Sequence, residues 1–136
     1  MSKGDALEND LLKKVFNNTS ISWDANTNLY VSLHTADPGE AGSQTTSEAT
    51  YGSYARVTVS RNSGGWTVTG NSVANTALVQ FPQCTSGSNT LTHFAVGTAT
   101  SGAGQILYSG ALNASLSVSS GIQPQFAAGA LTVTED

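Results

Sequence analysis

Leu29-Tyr30-Val31-Ser32-Leu33 puts Leu29, Val31 and Leu33 on one side of an extended chain and Tyr30 and Ser32 on the other. The same period of two recurs outward from it. Val57 and Val59 alternate with Arg56, Thr58 and Ser60, and Trp66 and Val68 with Thr67 and Thr69. Val79 and Phe81 flank Gln80, Phe94 and Val96 follow, and Leu112, Leu116 and Val118 alternate with Asn113, Ser115 and Ser117. Leu131 and Val133 close the series between Thr132 and Thr134. Turn-forming clusters such as Asn62-Ser-Gly-Gly65, Ser86-Gly-Ser-Asn89 and Ser101-Gly-Ala-Gly104 separate the segments. Half-buried strands at near-regular spacing predict an all-β domain, an antiparallel jelly-roll-like sandwich, with a closed β-barrel as the alternative.

Upstream of these strands the period changes to that of a helix. Leu7, Leu11 and Val15 recur every four residues and are joined by Leu12 and Phe16. Asp5 is placed to cap the helix and Glu8 to complete a capping box, while Asn17-Asn18 ends it. Three turns are too short to be stable alone, so the stripe must dock on something. The reading divides the chain into an N-terminal helical arm, residues 1–20, and a single β-sandwich domain, residues 21–136. Leu7, Leu11 and Val15 are the candidate partner-docking stripe; the competing expectation is that they cap the open end of the chain's own sandwich. The long irregular segment from Thr35 to Tyr51 is a second candidate extension.

Charged residues make up only 10% of the chain, against about 25% in ordinary soluble domains, which suits a surface that sits against other proteins. The net charge is −4 and the five basic residues form no stripe, so the reading excludes nucleic acid as a partner. No apolar run approaches the length of a membrane span, and the N-terminus carries no signal-type stretch, so synthesis in the cytoplasm is expected and no membrane partner. A lone Cys84 reads as a small core residue.

Chemistry finds little foothold. His34, His93 and Asp37 stand among many serines without a Gly-x-Ser-x-Gly elbow, so no catalytic residues are assigned and the chain is expected not to be an enzyme. His34 with Asp37 or Glu40 is a weak metal set, outweighed by a strand-end histidine bonding its loop. No metal and no cofactor are expected. Trp66, Tyr30, Tyr51, Tyr54 and Tyr108 suit a sugar platform, but filling the core and strand edges is the stronger reading.

Gly4-Asp-Ala-Leu-Glu-Asn9, Leu29-Tyr-Val-Ser-Leu-His-Thr-Ala-Asp-Pro38, Tyr54-Ala-Arg-Val57, Phe94-Ala-Val-Gly97, Ile106-Leu-Tyr-Ser-Gly110 and Phe126-Ala-Ala-Gly-Ala-Leu-Thr-Val-Thr-Glu135 together span nearly the whole chain. In these motifs the sequence resembles small bacteriophage virion proteins described as tail fibre proteins, and also jelly-roll capsid cement proteins. The resemblance implies a virion structural protein. Capsid cement on the head surface is the favoured expectation, because the sequence has neither shaft repeats nor a coiled coil. Its partners would be the major capsid protein and copies of itself, as a dimer or trimer. A tail fibre or other tail component acting in host attachment is the alternative.

Overall fold

The computed structural model describes residues 2–136, along which ten strands and one helix follow one another. They are β1 (Ser2–Lys3), α1 (Asp5–Asn17), β2 (Asn28–His34), β3 (Val57–Ser60), β4 (Trp66–Thr69), β5 (Ser72–Asn75), β6 (Val79–Gln80), β7 (Asn89–Gly97), β8 (Ile106–Val118), β9 (Gln125–Phe126) and β10 (Thr132–Thr134). A five-stranded sheet has the order β1-β8-β7-β2-β3, a three-stranded sheet the order β10-β5-β4, and β6 pairs with β9. Every pairing is antiparallel. Both larger sheets keep open edges, so the fold is an all-β sandwich and not a closed barrel.

Register explains why these strands share one core. Val31 lies opposite Val57 on one side and Val96 on the other, while Leu29 faces Val59 and Leu33 faces Phe94. Alternating side chains therefore meet in rows, and a slip by one residue would turn each row to solvent. From the other layer come Val79, Phe81, Leu131 and Val133. Tyr54, Phe81, Phe126 and Phe94 form a chain of ring contacts with centroids 6.1–6.3 Å apart. Cys84 is buried within this core, its thiol donating to the carbonyl of Ser86 at 3.3 Å. Buried Asn75 ties β5 to the chain before β10, accepting from Leu131 N–H at 2.9 Å and donating to the Ala127 carbonyl at 3.0 Å.

The segment Thr35–Tyr51, expected as an extension, folds down against the sheet. Past the end of β3 it takes over the edge of β2, with Thr35 N–H on Ser47 O at 2.8 Å and Ala49 N–H on Leu33 O at 2.8 Å. Gln44 is fully buried and clamps Ala99, accepting from its N–H at 2.9 Å and donating to its carbonyl at 3.2 Å. A side chain at Gly97 or Gly104 would occupy the space Gln44 fills. These contacts join residues more than fifty positions apart, which is why no local pattern announced them.

The helix begins one residue earlier than the capping reading implies. Gly4, not Asp5, is the N-cap, and no side chain caps the first turn. The reason is packing: Gly4 N–H donates to Leu107 O at 2.9 Å, and a Cβ there would collide with the Ile106 carbonyl. The predicted end is where it was expected, with Asn18 in the left-handed conformation at φ 51° and its N–H turned back to Lys13 O.

Candidate docking surface

Two turns of α1 are rooted and the last is free. Ser2 and Lys3 pair with Ser109 and Tyr108 of β8, so the arm starts as an edge strand of the sheet. Asp5 N–H donates to Glu40 O at 3.0 Å, and Leu7 is buried. One turn on, Asp10 accepts from Trp23 Nε1 at 3.1 Å and from Gln105 Nε2 at 3.0 Å. The connector after the helix is held as well. Arg61 donates to the Asp24 carbonyl at 2.8 Å, pairs with the Asp24 carboxylate at 3.1 Å and lies 5.1 Å above the Trp23 ring.

The stripe of Leu7, Leu11 and Val15 is thereby divided. Leu7 is buried, Leu11 half-buried and Val15 71% exposed. A different set makes the open face: Leu12 is 58% and Phe16 77% exposed, and with Val15 they share one side of the final turns. Helical geometry accounts for this. At about 100° per residue, Leu12 lies roughly 140° around the helix from Leu7, so both cannot face the sheet. Spacing by four selects Leu11 and Val15 alike from sequence, but only the docked orientation of Leu7 shows that Val15 shares its open face with Leu12 and Phe16 and not with Leu11.

Charge singles out the same tip. Lys3 pairs with Glu135, Arg56 with Glu48 and Arg61 with Asp24. Lys13 and Lys14, between Leu12 and Val15 in the chain, are therefore the lysine and arginine side chains without an ion pair among the described residues. Trp23 and Arg61 were missed as supports of this tip. A large aromatic residue in an otherwise polar connector was the available signal.

The groups considered for chemistry are used structurally. His34 is fully buried; its Nδ1 lies 2.8 Å from the Thr46 carbonyl, which can only accept, so Nδ1 carries the proton. Nε2 then accepts from Ser32 Oγ at 2.8 Å. Burial holds the His34 pKa below its usual value, with Arg56 and His93 adding to the effect and the Thr46 bond and Glu48 opposing it. Asp37 instead accepts from Gly39 N–H at 2.9 Å in its own turn.

The tyrosines form no shared platform. Tyr51 is buried, donates to Pro82 O at 2.8 Å and is raised by burial to about 12. Tyr54 donates to Glu48 at 2.8 Å, and Tyr108 bonds Glu135. Trp66 lines a cleft between the sheets, which of these tyrosines only Tyr108 shares.

Residues 2–134 match the family described as Podophage GP4 fiber I protein gp80. The chain belongs to that family. No curated protein matches it. It is accordingly a bacteriophage virion structural protein of fibre type, and the all-β domain with its rooted helix is the architecture described above.

Proposed function

We propose that the chain is a non-catalytic docking module of a tail-fibre assembly, with the tip of α1 as its contact surface for neighbouring virion proteins. The observation that carries this is a rigidly rooted helix presenting Leu12, Val15 and Phe16 to solvent beside two unpaired lysines. Three large apolar side chains together on a sparsely charged protein are what an interaction site requires. The family's fibre type supports a place on the tail. Catalysis is left out of the proposal because the hydroxyl–imidazole pair Ser32–His34 is sealed from solvent and the second such pair, Thr92–His93, joins two adjacent residues within β7.

Capsid cement is the second reading, and the same projecting helix favours it, since a clip across a seam also needs a rigid apolar post. Immunogold labelling and copy counting on whole particles separate the two. A small number of copies on the tail, with loss of host adsorption on deletion, is the expected result. Hundreds of copies spread over the head would transfer the assignment to cement.

A further inference from the structure

The sandwich is incompletely closed on one side. Between Leu29 and Val96 of the large sheet and Trp66, Val68, Val73 and Val133 of the small one runs an apolar cleft of about 570 Å³. Val68 hangs over its edge, 71% exposed although it belongs to the inward-facing row of β4. The indole N–H of Trp66, on the cleft wall, is buried with no acceptor. A buried donor left unpaired is costly, and native proteins rarely keep one without a purpose.

Tyr108 lines this cleft and also the acidic hollow beside it, which holds Glu8, Glu40, Glu135 and Asp136 with Lys3. Lys3 is paired with Glu135, so Glu8, Glu40 and Asp136 form no ion pair of their own among the described residues. The receptor surface is therefore an apolar slot with an acidic end.

We infer that this slot receives the α1 tip of a second copy of the chain. The inference rests on the docking reading of α1 and names its partner. Two properties of the tip answer two of the slot. Leu12, Val15 and Phe16 supply apolar surface for the slot. Lys13 and Lys14, the unpaired cations, answer the unpaired carboxylates. The chain's own tip does not fill the slot: no α1 residue lines its apolar part, only Glu8 of the first turn reaches the acidic end, and the bonds at Gly4, Asp5 and Asp10 fix the helix where it stands.

Tip and slot are different patches, so the contact is heterologous. Repeated from copy to copy it closes a ring or extends a row, as a fibre-type assembly needs.

The test uses the full chain and two substitutions at exposed positions, Phe16→Asp on the tip and Val68→Asp on the slot, each checked for an unchanged melting temperature. Light scattering should show concentration-dependent association of the wild type and at least a tenfold weakening in either variant. Mixed together, the two variants should form a 1:1 dimer that grows no further, because Val68→Asp keeps its tip and Phe16→Asp keeps its slot. A wild type that stays monomeric over its soluble range overturns the inference. So does association that either substitution leaves intact, or a mixture that fails to pair. Particle labelling is independent: a monomeric chain on the tail would sink the self-docking and leave the fibre assignment standing, whereas a self-associating head protein would do the reverse.

Discussion

Arg56 grips Glu48 with two parallel bonds, Nε to Oε2 at 2.7 Å and Nη2 to Oε1 at 2.9 Å, while its remaining N–H groups reach the carbonyls of Ala99 and Gly102 at 3.0 and 2.6 Å. The Arg56 side chain is 3% exposed and Glu48 15%, so the pair sits largely out of water. One guanidinium thus fastens three separate stretches: the long loop, the approach to β3 and the turn after β7.

Removing one partner of such a pair leaves a buried charge without compensation. Arg56→Ala is expected to cost about 3–5 kcal/mol of unfolding free energy, measured by urea denaturation. Arg56→Lys should recover only part of it, since an ammonium cannot reproduce the fork. A loss below about 1 kcal/mol, typical of a surface pair, would mean the pair is not holding the loop.

His34 makes stability depend on pH. Its folded pKa lies below the ordinary histidine value, so between the two pKa values the unfolded chain binds the extra proton. Its contribution is complete above the unfolded pKa and is lost as pH falls below it, at no more than about 1.4 kcal/mol per pH unit. Melting temperatures between pH 7.5 and 5.5 should therefore decline for the wild type and decline less for His34→Gln. Identical slopes would show that the ring is not kept neutral by burial.

The divided stripe predicts opposite outcomes at its two ends. Leu7→Ala should destabilise the isolated protein by about 2–4 kcal/mol, as for a buried leucine. Val15→Asp, at a 71% exposed position, should change stability by no more than about 0.5 kcal/mol. Equal losses at both sites, in thermal melts of the two variants, would mean that the last turn also packs on the domain.

Gln44 offers a coupling test. Gln44→Ala strands the Ala99 N–H and carbonyl and is expected to cost about 1–3 kcal/mol. Gly97→Ala should cost more, because its methyl group would fall on the Gln44 side chain. In the double variant the clash disappears, so the combined loss should be smaller than the sum of the single losses. Strict additivity would refute the contact.

Features that arise between neighbours in the chain were settled by the sequence itself. Alternation in segments such as Leu29–Leu33 and Trp66–Thr69 specifies strands because side-chain direction repeats every two residues regardless of what covers the sheet. Asn17-Asn18 stops the helix for an equally local reason, the tolerance of asparagine for the left-handed conformation. The short β5 was passed over because Ser72-Val-Ala-Asn75 carries one large apolar residue, and its strand character comes from pairing with β4 and β10.

Tertiary structure alone decided the rest. Gly4 rather than Asp5 is the N-cap of α1 because the Ile106 carbonyl leaves no space for a side chain, a contact across a hundred residues. Thr35–Tyr51 is a clamped cover because Gln44 finds Ala99, the Thr46 carbonyl finds His34 of β2, and Glu48 finds Arg56. Which apolar residues of α1 face solvent was fixed by the angle at which Leu7 docks, and the slot beneath Val68 by how far two sheets stand apart. Such distances are set by the packing of many side chains at once, and no window of sequence contains them.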